Sequence, residues 1–452
     1  MEIQARKNKI DKDVFEELCG AVGRGCAFDN IKKREAYSFD ISNVKSMPDL
    51  VITPHSTEQV SRVLSIANKH NISVCTRTAG IDLAGGSVPI KGGIALDLKN
   101  MNRIVELNAK DLTVSVEPGV VTKNLQGEVE KLRLFYPPES GNRSFSTIGE
   151  RVAECTGGMT GMKYGVTRDY VLSLEIVLPD GSIINAGRKT LKSVAGYDLT
   201  RFFVGSEGTL GVFTKITLKL LPMPEKICTV MSCFKDIESA LNATDSIMVK
   251  NHLNPRLLEF ADKTCIDAVR DSTEVEIPSE AEVLLLIDVD GNEKNVTNDI
   301  SRIDAICREN SAMKTLISNT GEERDALWGI KESVSRSLSK VSSVKFNEIL
   351  SVPRSKVREV LKKVYEISNT YSLRVAAFGQ IGEGHINLNV ISNNVDATDV
   401  SFYDLISQIR EEIVFKGSTN ISELAHHEIE IMNDLKKMFD PKGIMNPVNL
   451  LI

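Results

Sequence analysis

The sequence has no C-x-x-C pair: its eight cysteines, Cys19, Cys26, Cys75, Cys155, Cys228, Cys233, Cys265 and Cys307, are dispersed along 452 residues. That spacing argues against a disulfide framework and against an iron–sulfur cluster held by this chain. Free thiols, buried or at the surface, are the expectation. No apolar run reaches the ~18 residues of a spanning helix. The opening "MEIQARKNKIDKDVFEELCG" reads as a charged amphipathic helix, not a leader. Repeats and low-complexity tracts are absent. Positive charge is not in excess, with 55 Lys+Arg against 61 Asp+Glu and a net charge of −6. That weighs against nucleic acid or an anionic membrane as the main partner. No G-x-G-x-x-G follows a strand-like run, so a Rossmann mononucleotide fold is not supported. A cytoplasmic protein is expected, with a peripheral place on a membrane complex left open.

What is present is an ordinary globular composition, 42% hydrophobic and 26% charged, on a chain long enough for two or more domains. Residues 1–45 read as mostly helical. "PDLVITPHSTEQVSRVLSIANKHNISVCTR" alternates strand, helix and strand. Ser56 with Glu58 and Gln59 forms a helix-capping signal, and Val60, Val63, Leu64 and Ala67 follow helical spacing. Short strands are expected at "GGIALDL", "LTVSVEPG", "VLSLEIVLPDGSIINAG" and "GTLGVFTKITLKLLP". Beyond about residue 225 the helices lengthen: "KDIESALNATDSIMVKN" and "VREVLKKVYEISNTYS" are helical, "AEVLLLIDVDG" and "HINLNVI" strand-like. The tail helix should stop at Asp440-Pro441 and turn at Gly443.

Residues 75 to 90 read "CTRTAGIDLAGGSVPI". A run this poor in side chains lets backbone approach a ligand, and successive N–H groups form an anion-binding nest. Together with "VEPGV", "YPPES", "TIG", "MKYGVTRDYVLSLEIVLPDGSII", "VAGYDLTRFFVGSEGTLGVFTKITLKLLP" and "MFDPKGIMNP", it resembles the vanillyl-alcohol-oxidase-like flavoproteins that include glycolate oxidase large subunits, D-lactate dehydrogenases and D-2-hydroxyglutarate dehydrogenases. The resemblance implies an α+β fold: a two-part FAD-binding domain (46–224) after an N-terminal helical segment (1–45), an α+β cap (225–415), and a C-terminal helical segment (416–452) that returns to the FAD domain. It implies that Arg77, Thr78, Ala79, Gly80, Ile81, Asp82, Leu83, Gly85, Gly86 and Ser87 wrap the FAD pyrophosphate. Pro138 and Ser140 are also implied, with Thr147, Ile148, Gly149, Ala153, Gly157, Gly158 and Gly165. Glu207, Gly208, Gly211, Val212 and Asn446 complete the implied set.

The sequence departs from that family in five places. In the loop, Asp82 is expected to turn away and cap nearby N–H groups, and Ile81 stands where some relatives carry a histidine bound to FAD, so the flavin should be non-covalent. In "TIGERVAECTGG" (147–158), Glu150, Arg151, Glu154 and Cys155 replace small or neutral residues; Cys155 is either a flavin contact or a buried thiol. In the cap, Gln380 and Asn387 replace the two histidines of the family's metal motif, with Glu383 and His385 between them. In "GSTNISELAHHE", Glu423, His426 and His427 survive in altered spacing. Two readings stay open: a site rewired through Glu383, His385, Glu423 and His426 or His427, or loss of the metal, which is the expectation. Near Trp328, Lys331 keeps the charge that the resemblance assigns to holding a substrate carboxylate, without the arginine fork. Arg336 and Lys340 are either helpers or exposed helix charges, and Glu348 keeps an acid near the cap sheet. The implied catalytic group is His385, Glu423, His426 and Lys331.

The resulting expectation is an FAD-dependent oxidoreductase resembling 2-hydroxy-acid (lactate or glycolate) dehydrogenases. It would pass electrons to a separate iron–sulfur subunit or electron-transferring flavoprotein. The alternative is an FAD-binding electron-relay or scaffold subunit without hydroxy-acid chemistry.

Overall fold

The computed structural model describes residues 10–40, 42, 44–81, 85–138, 143–341, 344–370, 373–392, 407 and 426–447. The chain divides into two compact units, Met1–Gly158 with Gly165–Met223 and Leu424–Ile452, and Met159–Tyr164 with Pro224–Glu423.

In the first unit, the apolar run before Pro54 forms strand Leu50–Ile52, paired parallel with Ile94–Asp97, which pairs parallel with Val74–Arg77. Parallel strands of one sheet need a crossover, and helix Thr57–His70 supplies the one from Leu50–Ile52 to Val74–Arg77, which flank Ile94–Asp97. The Ser56 side chain accepts from Gln59 N, while Gln59 Oε1 accepts from His55 N at 2.7 Å, one residue earlier than in a regular capping box. Asn71, at φ 55°, ends the helix in the left-handed conformation. Val60, Val63, Leu64 and Ala67 are fully buried in the core beneath it, the larger ones worth about 1.5–3 kcal/mol each.

The described residues between 10 and 45 are less helical than their pattern suggests. Helices Lys12–Val22 and Ile31–Glu35 flank strand Ala27–Phe28, which pairs antiparallel with Leu50–Ile52. Sheet pairing overrides local propensity there. A five-stranded antiparallel sheet follows, in the order Ile104–Asn108, Thr113–Val116, Val212–Lys219, Val171–Val177, Ile183–Gly187.

The tail belongs to this unit. Helix His426–Phe439 stops where Pro441 removes an N–H. The buried Asp440 carboxylate then accepts from Ile444 N at 2.9 Å and Met445 N at 2.8 Å, which folds the chain back at Gly443 (φ 57°). Met445 lies parallel to Val74, and Asn446 N donates to Val74 O at 2.9 Å.

The second unit is built on a seven-stranded antiparallel sheet, in the order Lys314–Ile317, Lys226–Phe234, Val283–Gly291, Leu257–Asp262, Arg374–Gly379, His385–Ser392, Val344–Ser351. Helices Ile237–Asp245, Glu293–Glu309 and Val357–Thr370 share a core with one face; Lys263–Val269 and Gly321–Val341 cover the other. The first of these helices passes into a π-turn, Ser246–Lys250. Strand periodicity decides what each face receives. Val283, Leu285, Ile287 and Val289 face the three-helix side, which leaves Asp288 and Asp290 on the two-helix side with Leu284 and Leu286.

Candidate functional site

The first unit carries a narrow cleft of about 60 Å³. Four separate segments converge on it. Strand Val74–Arg77 and the loop after it contribute Arg77, Thr78, Gly86 and Ser87. The short helix Ile148–Ala153 contributes Gly149, Glu150 and Ala153. The turn before strand Val212–Lys219 contributes Glu207, Gly208 and Gly211, with Val212 at the strand's start. The tail contributes Asn446. Of the other residues named from the sequence, Ala79, Gly80, Ile81, Gly85, Pro138, Thr147, Ile148, Gly157, Gly158 and Gly165 do not line the cleft. Asp82, Leu83 and Ser140 lie outside the described residues.

The cleft is held by close backbone contacts. Gly208 sits at φ 68°, and a Cβ there would meet Thr76 Oγ1 at 2.5 Å; a Cβ on Gly149 would meet Pro118 at 2.6 Å. Asn446 accepts from Thr76 N at 3.2 Å and donates to Gly86 O at 3.2 Å and Glu207 O at 2.7 Å, tying three walls together. Asn446 and Glu207 both have positive φ, 35° and 49°, as does nearby Cys155 at 51°. Left-handed backbone at non-glycine residues costs on the order of 1–3 kcal/mol each and gathers at functional sites. Cys155 is half-buried and does not line the cleft.

The loop after Arg77 behaves as an anion nest. Glu150 Oε1 accepts from Gly80 N at 2.6 Å and, more weakly, from Thr78 N at 3.4 Å. Burial pushes the Glu150 carboxyl above its usual range, opposed by those two N–H groups and by the Arg77 charge. The Arg77 guanidinium itself lies over the Tyr37 ring at 5.1 Å and packs where a side chain on Gly80 would be. Arg151 is 1% exposed and donates to Pro138 O at 2.9 Å, so it anchors the segment after Tyr136 from below.

In the second unit, a polar strip runs across the two-helix face of the sheet. The Asp288 carboxylate receives the Thr229 hydroxyl, Trp328 Nε1 at 2.9 Å and Arg324 Nη2 at 2.9 Å. Asp290 receives Lys163 Nζ at 2.5 Å and the Tyr164 hydroxyl at 2.7 Å. Lys331 Nζ lies 3.2 Å from Glu259 Oε1, with side chains 23% and 3% exposed. Glu383 Oε1 accepts from Met162 N at 2.7 Å. Burial, with the Glu259 charge, raises the Glu383 carboxyl to about 6. His385 Nδ1 lies 3.1 Å from Ser351 Oγ, and burial with the Lys331 charge lowers its pKa, which favours neutral imidazole.

Of the residues singled out for catalysis, Lys331 and His385 therefore share one electrostatic neighbourhood. Glu423 and the side chain of His426 lie outside the described residues. His427 is exposed and pairs with Glu430 at 2.9 Å. Arg336 and Lys340 are exposed. Glu348 is opposite Leu388, which faces the three-helix side, away from this strip. Glu259, Asp288 and Asp290 escaped the sequence reading. Their signal was an acid in alternation with buried aliphatics, in "LLEFAD" and "LLLIDVDG".

A family model for an FAD binding domain matches residues 48–187, and one for the C-terminal domain of FAD linked oxidases matches 223–423 and 416–450. The glycolate oxidase subunit GlcD of Bacillus subtilis (strain 168) is 36% identical, over 97% of this chain and 96% of that one. The chain belongs to the FAD-linked oxidases. The D-lactate dehydrogenase of Anaerostipes hadrus is 30% identical over 89% of each chain. The crystal structure of p-cresol methylhydroxylase with substrate bound superposes with a TM-score of 0.76 at 16% identity, covering 96% of this chain and 95% of that one. The fold is accordingly that of the vanillyl-alcohol-oxidase flavoproteins, mixed α and β, and the family is FAD-dependent. No helix among the described residues is long and apolar enough to cross a membrane.

The residues present suit an anionic cofactor in one respect that the structure itself supplies: the Thr78 and Gly80 amides already hold a carboxylate. Gln380 and Asn387 offer weakly basic amide oxygens. Among the described residues no three His, Cys, Asp or Glu side chains gather to hold an ion.

Proposed function

We propose that this FAD-linked oxidase is a dehydrogenase of small 2-hydroxy acids that hands its electrons to a separate redox protein. The observation that carries the reading is the convergence of Arg77 and Thr78, Gly149 and Glu150, Gly208 and Gly211, and Asn446 on one cleft, in a chain 36% identical along nearly its whole length to a protein named as a glycolate oxidase subunit. FAD, when bound there, supplies the acceptor for a hydride leaving the α-carbon. The chain's own part is binding and orientation. Gly208 and Gly149 let the cleft walls close on Thr76 and Pro118, Asn446 fixes those walls, and the loop amides meet negative oxygen. Within the second unit, neutral His385 is a side chain able to accept a proton. With eight dispersed free cysteines, a partner with its own redox centre is the fitting acceptor, an iron–sulfur subunit or an electron-transferring flavoprotein.

One observation favours a second reading, an electron-relay or scaffold subunit without hydroxy-acid chemistry. Lys331, the cation assigned to a substrate carboxylate, is engaged by the buried Glu259. Anaerobic mixing of the FAD-loaded chain with glycolate, D-lactate and D-2-hydroxyglutarate separates the two. Substrate-dependent bleaching of the flavin supports the dehydrogenase. An unbleached flavin that a chemical reductant still reduces supports the relay.

A further inference from the structure

The two amides that make the nest are occupied by the protein's own side chain. Glu150 is the third residue of helix Ile148–Ala153. A glutamate there ordinarily turns back toward the residue that caps its own helix. Here it reaches across the cleft, and its Oε1 takes Gly80 N at 2.6 Å and Thr78 N at 3.4 Å, with the Thr147 hydroxyl 3.4 Å from Oε2. The helix's first amides offer no substitute: Ile148 N donates to Val120 O and Gly149 N to Pro118 O, both within 2.9 Å. Any diphosphate drawn to this loop therefore meets donors that a carboxylate already holds. Two anions cannot share one pair of N–H groups without strong repulsion in so poorly solvated a place.

We propose that Glu150 is an internal plug of the anion nest, which must give way, by swinging out or by taking a proton from solvent, before the diphosphate of FAD can dock on Thr78 and Gly80. The inference rests on the reading of this cleft as the flavin site. The cofactor and the carboxylate then compete, and FAD affinity becomes a function of the charge at position 150. Three other charged groups line the cleft and bear on that competition: Arg77 from the strand end, Glu154 from the same helix, and Glu207 from the turn before Val212. Arg77 favours the ionised plug; Glu154 and Glu207 add negative charge that any diphosphate must also face. Burial raises the Glu150 carboxyl above its usual range, so the protonated, released form is favoured relative to a solvated glutamate.

The test is a titration of the full chain, stripped of flavin, with FAD and separately with ADP, which carries the diphosphate alone. Wild type, Glu150→Gln and Glu150→Gly are compared from neutral to mildly acid pH, with thermal melts confirming that each variant is folded. The expected result is that both variants bind FAD and ADP about tenfold or more tightly than wild type at neutral pH. Wild-type affinity should climb on acidification by up to about tenfold per pH unit, as for one proton taken up on binding, with Glu150→Gln nearly flat. Equal FAD affinity in wild type and Glu150→Gln at every pH, or weaker binding by the variants, overturns the plug while leaving the flavin site intact. Failure of all three folded proteins to bind FAD or ADP overturns the flavin reading of the cleft and the plug with it.

Discussion

Lys331 Nζ stands 3.2 Å from Glu259 Oε1 beneath helix Gly321–Val341, and the glutamate is almost completely buried. The lysine is thus a helix-borne counter-ion to a carboxylate of the sheet before it is anything else. Removing it as Lys331→Met leaves an uncompensated buried carboxylate, which costs about 3 kcal/mol or more at neutral pH. Glu259→Gln with Lys331→Met should recover most of that loss, because the double change takes both charges away. Chemical denaturation of the two variants checks this.

Glu383 gives a pH signature with a defined sign. Its folded carboxyl titrates near 6 against an ordinary 4.5. A raised acid contributes stability that is fully present below its unfolded value and lost as pH rises through its folded value. The melting temperature of wild type relative to Glu383→Gln should therefore increase as pH falls from about 7 to about 4, an interval that spans both values. Comparing the two proteins at each pH cancels the opposite contribution of His385. A difference that does not change with pH would remove Glu383 from its buried setting beside Glu259.

His385 should stay neutral to lower pH than a free histidine, since burial and the Lys331 charge both depress it. An NMR titration of the imidazole should give a midpoint below 6.5, and the midpoint should rise in Lys331→Met, which deletes one of the two causes.

How much of this was legible without coordinates differs from residue to residue. Val60, Val63, Leu64 and Ala67 announced a helix because a 3.6-residue period needs no partner to be visible. The stop at Asp440-Pro441 was legible for the same local reason. The loop from Arg77 to Ser87 could be singled out as a place where backbone meets a ligand because its small residues are contiguous. Strand Ala27–Phe28 was hidden inside a helical-looking stretch because pairing with Leu50–Ile52 decides it. Glu150 was visible as a departure, yet its bond to Gly80 spans 70 positions, and no local pattern encodes that. Glu259 and Lys331 are likewise separated along the chain and meet only through sheet order and helix placement.

Asn446 ties the tail to the cleft by bonds to Thr76, Gly86 and Glu207. Asn446→Ala leaves buried polar groups of those three unsatisfied, at about 1–3 kcal/mol for the first and less for groups that relax toward water. A total loss of about 2–4 kcal/mol is expected, together with faster proteolysis of the tail and weaker FAD binding. Unchanged FAD affinity would show that the tail stabilises the unit without shaping the cleft.

Metal removal is expected to be without effect. Exhaustive chelation should leave both the bound flavin and its rate of reduction as they were, because Gln380 and Asn387 present amides where strong ligation needs imidazole. A chelated protein that lost reduction and regained it with one added divalent ion would show a rebuilt metal site.

The central claim, that this chain holds FAD without a covalent bond, is tested most directly by flavin stoichiometry. The purified protein is saturated with FAD, freed of excess, denatured and passed through a filter that retains the chain. The account predicts close to one FAD per chain, all of it in the filtrate. A folded chain that retains no flavin, or flavin that stays with the denatured polypeptide, would contradict it.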